Sequence, residues 1–130
     1  MSCRYFFAMF GDPRPPERDG VESGIYHPHS STAPFSTQPG DLLLLYCTGG
    51  YAEHAMQIPG LGVVLYTTNE VVGYKYLPLS KPIPRDKIDA SFLPEDLTKF
   101  NNRRFYRFWL FEISRASFAA TVSISDIAWP

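Results

Sequence analysis

Apolar residues along this chain fall in short blocks, each closed by proline, glycine or small polar residues. That is the pattern of strands joined by turns. Arg4 to Phe10 is continuous and aromatic, which predicts a central, buried strand. Asp12 to Pro39 reads as a long irregular excursion, in which Val21 to His29 has the composition of a short helical turn or a strand. Pro39-Gly40 predicts a tight turn, and Leu42 to Cys47 a strand apolar on both faces. Tyr51 to Ile58 reads as a loop or short helical piece, with Pro59-Gly60 turning the chain again. Leu61 to Thr68 is a β-branched-rich strand. Asn69-Glu70 is a turn, Gly73 a bulge position, and Tyr74 to Pro84 a further strand whose prolines place its second half at a sheet edge. Asp86 to Phe92 and Pro94 to Phe100 read as short helices, the second with Glu95 and Asp96 in its first turn. Tyr106 to Ile113 is the last clear strand, followed by a short helix over Ser117 to Val122 and a final strand or tail from Ile124 to Trp129.

The predicted order is strand, long loop, three strands, short helices, strand, terminal element. Short elements of this kind close best as an α+β fold: a small, curled mixed β-sheet or pseudo-barrel carrying short helices, since closure protects strand edges. No internal repeat or linker divides residues 1–130, which therefore read as a single domain.

Composition supports this. A chain of 130 residues with 45% hydrophobic and 19% charged residues can bury a core. Its 12 prolines and 9 glycines favour turns over long helices. Aromatic residues reach 15%, more than a plain core requires, which leaves some for a binding surface. The formal net charge of −1 rules out a globally basic domain, so any nucleic-acid contact uses a local patch. Cys3 and Cys47 form neither a metal pair nor a disulfide framework, and read as buried thiols in a reducing compartment; a disulfide between them stays open on sequence grounds. The apolar run at Met1 to Phe10 stops at Gly11-Asp12-Pro13-Arg14 without a cleavage pattern. No segment has the apolar length of a membrane helix. No membrane association and a cytoplasmic location are the expectations.

Three features in series resemble a known family: an aromatic first strand with a long excursion, then Gly40-Asp41-Leu42-Leu43-Leu44-Leu45-Tyr46-Cys47-Thr48, then Leu61-Gly62-Val63-Val64. Together they are similar to the PUA-like superfamily, and most to its EVE branch, a relative of the YTH domain. Tyr74 to Pro84 also resembles the EVE strand that precedes the short helices. Many sequences of that branch have His-Ser where this chain has Cys47-Thr48. The tryptophan usual in the excursion is missing, so Tyr26, His27 or Phe35 would have to supply the stacking ring.

The resemblance implies a base-binding pocket for RNA or DNA, often for a modified base. Such a pocket needs aromatic walls and a few groups that read the base edge. Met9, Phe10, Tyr26, His27, Tyr46, Cys47, Thr48 and Tyr51 are the candidate pocket residues. Lys99, Arg103, Arg104 and Arg107 form a basic cluster suited to phosphate contact, or else a solvated turn paired with Glu95, Asp96 or Glu112. His27, His29 and His54 have no diagnostic metal spacing. Cys47 and His54 offer a nucleophile and a base that nothing orients, so no catalytic residue, metal or cofactor is expected. The expected function is a non-catalytic nucleic-acid or modified-nucleobase binding module. The alternatives are a small-barrel, ASCH-like hydrolase acting on RNA or nucleosides, and a protein-interaction domain.

Overall fold

The computed structural model describes residues 3–10, 21–26, 37–48, 56–101 and 110–125. Among these, the strands are β1 (Tyr5–Phe10), β2 (Ile25–Tyr26), β3 (Leu42–Cys47), β4 (Gln57–Thr67), β5 (Val72–Pro84) and β6 (Leu110–Ile113). The helices are α1 (Arg85–Ser91), α2 (Pro94–Asn101) and α3 (Arg115–Val122), with single 3-10 turns at Val21–Ser23 and Ser123–Ser125. The strands form one curled, mixed sheet, a half-barrel, in the order β2-β5-β4-β3-β1-β6. Its centre is a parallel pair: β1 and β3 run side by side from Tyr5↔Leu42 to Phe10↔Cys47. The other pairings are antiparallel.

Alternation along the strands divides the core between two faces. On the first face, Phe7, Leu44, Ile58, Leu61 and Ile83 pack against Ile88, Phe92, Phe100, Phe118 and Val122 of the helical segments. Phe7 is its hub, with the rings of Tyr46, Phe92, Phe100 and Phe111 centred 5.0–5.6 Å away. On the second face, Phe6, Ala8, Phe10, Leu43, Leu45 and Cys47 pack with Val21, Tyr26, Val64, Val72 and Tyr74. Burial on both sides explains why β1 and β3 read as unbroken apolar runs.

The Pro39-Gly40-Asp41 turn fixes where this pair begins. Gly40 has φ +93°, a backbone region that costs other residues energy. The buried Asp41 carboxylate accepts the backbone N–H of Gln38 at 2.8 Å and that of Arg4 at 3.1 Å. The turn is thus tied both to itself and to the start of β1.

The helices are joined by a buried polar knot. Asp96 Oδ2 accepts from the Ser114 backbone N–H at 3.0 Å, the Ser114 hydroxyl at 2.7 Å and the Ser117 hydroxyl at 2.6 Å. Ser117 Oγ in turn accepts the Leu93 N–H at 2.8 Å. Ser114 also caps α3 by accepting the Ser117 N–H at 3.1 Å, which is why α3 starts before the predicted Ser117.

Several expectations change. Pro59-Gly60 does not turn the chain: β4 runs straight through it. Both flanking ladders shift register there, so the missing proline N–H falls where no bond is required. The bulge near Gly73 comes from the opposite strand, where Leu65 is the extra residue between Val64↔Tyr74 and Tyr66↔Gly73. The excursion contributes both a 3-10 turn and the short β2. Of the predicted Tyr106–Ile113 strand, Leu110–Ile113 is described and is a strand. Ser123–Ser125 forms a 3-10 turn where the final strand or tail was expected to begin. Both cysteines are free thiols, but Cys3 is exposed, because it precedes β1 instead of lying in it.

Among the described residues, β2 pairs with Val72 and Gly73 and no strand pairs with the outer side of the second half of β5, as an edge requires. The Tyr74 N–H still reaches outward to Gly24 C=O. Alternation then aims the Tyr76 and Pro78 amide positions at the same side of β5, away from β4, and proline there has no N–H to offer another strand.

Candidate functional site

Parallel pairing brings the carboxyl ends of β1 and β3 together, with Met9 beside Tyr46 and Phe10 beside Cys47. The Thr48 N–H donates to Phe10 C=O at 3.0 Å and extends the pairing one step. Met9, Phe10, Tyr46, Cys47 and Thr48 therefore meet at one end of the sheet. They do not share a face. Met9 and Tyr46 belong to the helix-packed side. Tyr46 meets Phe100 edge-on at 5.4 Å, and its hydroxyl donates to Met56 Sδ at 3.4 Å. Phe10 and Cys47 point to the second face. Tyr26 joins them there, its ring 4.9 Å from that of Phe10. His27 and Tyr51 lie outside the described residues.

The second face also gathers residues that the sequence reading passed over. Tyr74 is buried, and its hydroxyl donates to Val21 C=O. Tyr76, half-buried, follows two positions later on the same face. Opposite them β4 carries Gly60 and Gly62. A Cβ at Gly60 would run into the Tyr76 ring, and one at Gly62 would stand 2.9 Å from Tyr74 Cδ2. Each tyrosine thus leans onto bare backbone, which only glycine permits. The signal was legible in the chain as two tyrosines and two glycines, each pair at strand spacing.

The electrostatics of this face are those of neutral groups. Burial, with Glu22 nearby, pushes the Cys47 thiol up from 9.0 to about 12. Burial raises the Tyr26 hydroxyl well above its ordinary 10.0, against a hydrogen bond with the Met9 backbone. Tyr76 is raised as well, by burial first and then by Glu22 and Cys47. A thiol in this setting is a buried packing group and not a thiolate nucleophile.

Of the basic cluster, Lys99 is described. It donates from Nζ to Glu112 C=O at 2.9 Å. Arg103, Arg104 and Arg107 lie outside the described residues. Asp96 and Glu112 are engaged elsewhere, Asp96 by serines and Glu112 by Arg4 at 3.7 Å. A neighbouring cation missed from sequence is Arg85, whose guanidinium lies 4.5 Å from the Phe100 ring centre and donates to Asn101 Oδ1 at 3.0 Å.

Among the described residues no group of three or more His, Cys, Asp or Glu side chains is placed to hold a metal ion. His27, His29 and His54 are outside them. No helix among the described residues is long and apolar enough to cross a membrane. No family model matches the chain, and neither the curated proteins nor the solved structures contain a significant match.

Proposed function

We propose that this chain is a non-catalytic module that binds a nucleobase of RNA or DNA, modified or unmodified, in the manner of the PUA-like proteins and their EVE branch. The base docks at the rim of the second face, where Tyr76 is half-buried and Phe10 and Cys47 form the packed floor.

The observation that carries this reading is the gathering of Phe10, Tyr26, Tyr74 and Tyr76 on one face beside Cys47. Phe10, Tyr26 and Tyr74 are buried and brace the face, while the half-buried Tyr76 is the ring of the four that a base can reach, for a stacking gain of about 1–3 kcal/mol. The neutral Cys47 thiol favours binding over cysteine-based catalysis. Phosphate contact falls to Lys99, Arg103, Arg104 and Arg107, which gives modest, salt-sensitive affinity.

The test is a calorimetric or fluorescence titration at low salt against single-stranded oligonucleotides, one panel methylated and one unmodified. Binding that weakens as salt rises is expected. No binding in either panel overturns the reading.

A further inference from the structure

Met56 links the end of β3 to the start of α1. Its N–H donates to Cys47 C=O and its C=O accepts the Arg85 N–H, each at 2.9 Å. Its backbone is left-handed, with φ +63°, a conformation that costs any residue with a side chain energy. The thioether is tied down as well: Sδ accepts the Tyr46 hydroxyl at 3.4 Å. Tyr46 itself is buried, with the Phe7 and Phe100 rings against it. Met56 is nonetheless 40% exposed. Both of its backbone groups are engaged, so that exposure belongs chiefly to the side chain. Met9, by contrast, is 4% exposed within the helix-packed face.

We propose that Met56 is a reversible oxidation site, and that hydrogen peroxide adds oxygen to the lobe of Sδ that faces away from Tyr46. A thioether sulfur carries two lone pairs. One receives the Tyr46 hydroxyl, and attack there must first break that hydrogen bond. The other lies on the side away from the buried ring. In the step, Sδ attacks one peroxide oxygen. An S–O bond forms as the O–O bond breaks, and the sulfur gives up two electrons. The departing hydroxide takes the proton of the transferred oxygen and leaves as water. The product is mainly one sulfoxide epimer. A thiol-dependent sulfoxide reductase returns it to the thioether, two thiols becoming a disulfide and the oxygen leaving as water. The sulfoxide is polar, and its electron-poor sulfur accepts a hydrogen bond less well than the thioether does. Oxidation therefore weakens the tie to Tyr46 and loosens the junction of β3, β4 and α1.

The experiment treats the native full chain with graded hydrogen peroxide and locates the oxidised methionines by peptide mass spectrometry. Met56 is expected to oxidise at least about tenfold faster than Met9. Peptides carrying oxidised Met56 are then given to the two sulfoxide reductases, each of which repairs one epimer. One epimer should be in about fivefold excess, the value of one ordinary hydrogen bond. The wild-type chain oxidised in urea should give a near-even mixture, and so should folded Tyr46→Phe. The urea midpoint of the oxidised wild type should fall by about 0.5 M, a response that Met56→Leu should lack. Equal oxidation of Met9 and Met56 overturns the inference. So does an even epimer mixture from the native chain, an excess that survives in urea or in Tyr46→Phe, or an unchanged urea midpoint once Met56 is oxidised.

Discussion

Asp41 Oδ1 accepts the backbone N–H of Arg4, 37 positions earlier in the chain, at 3.1 Å. The same carboxylate holds Gln38 N–H, so one side chain sets both the turn before β3 and the start of β1. Asp41→Ala leaves these two amides without their acceptor and should cost about 2–4 kcal/mol, read as a lower urea midpoint. The Arg4 guanidinium is 3.8 Å from Asp41 and partly exposed, so Arg4→Ala should cost less than about 1 kcal/mol. Gly40→Ala meets no neighbouring atom and should cost only its backbone strain, about 1–2 kcal/mol. An equal loss in Arg4→Ala and Asp41→Ala would refute this division.

The Asp96 knot predicts non-additivity. Asp96→Ala strands three donors and Ser117→Ala removes one of them together with the acceptor for Leu93 N–H. Each should destabilise by about 2–4 kcal/mol. The double variant should fall short of the sum by at least about 0.5 kcal/mol, because both act on one network. Strict additivity in denaturant titrations would show that the contacts are independent.

Tyr66 and Gly73 form a second coupled pair. They face each other across β4 and β5, and a Cβ on Gly73 would collide with the half-exposed Tyr66 ring. Gly73→Ala should therefore cost about 1–3 kcal/mol through overpacking. In a Tyr66→Ala background the same change should cost measurably less. If the cost is the same in both backgrounds, the strain lies in the backbone and not in the ring.

Alkaline pH should weaken the fold through Cys47. Its thiol stays protonated in the folded state up to about 12, against an ordinary 9.0. The folded state therefore binds the proton more tightly, and the benefit is complete below pH 9. Between pH 9 and 12 the unfolded chain loses that proton first, so stability falls by up to about 1.4 kcal/mol per pH unit. Cys47→Ala should flatten the start of this decline, where the tyrosines still contribute little. In parallel, alkylation of the native protein should label the exposed Cys3 and spare Cys47 until denaturant is added.

The fold was legible wherever one strand carried its own pattern. Leu42–Cys47 is apolar on both faces because it lies in mid-sheet with packed layers above and below. Pro94 and the acidic residues after it marked α2 by local chemistry alone. The Pro59-Gly60 pair misled because a bulge looks like a turn when the neighbouring ladders are unknown. β2, two residues long, is too short to show any period. The site was half legible. Alternation in β1 and β3 already separates Met9 from Phe10 and Tyr46 from Cys47. It took the parallel register to show which of them share a face. The spacing of Tyr74 and Tyr76 and of Gly60 and Gly62 is visible in the chain, but only the antiparallel register shows that these tyrosines rest on those glycines.

The central position of β1 has a consequence for synthesis. β1 pairs with β3 on one side and with β6, residues 110–113, on the other. Of the described strands, the one that leaves the ribosome earliest is completed by the one that leaves last. Until then its aromatic stretch has one open edge, and the layer that covers Phe7 is unfinished. A nascent chain of this protein therefore offers a sticky, extended segment to its surroundings while the roughly hundred residues between β1 and β6 are made, and cooperative folding awaits the arrival of β6 and α3.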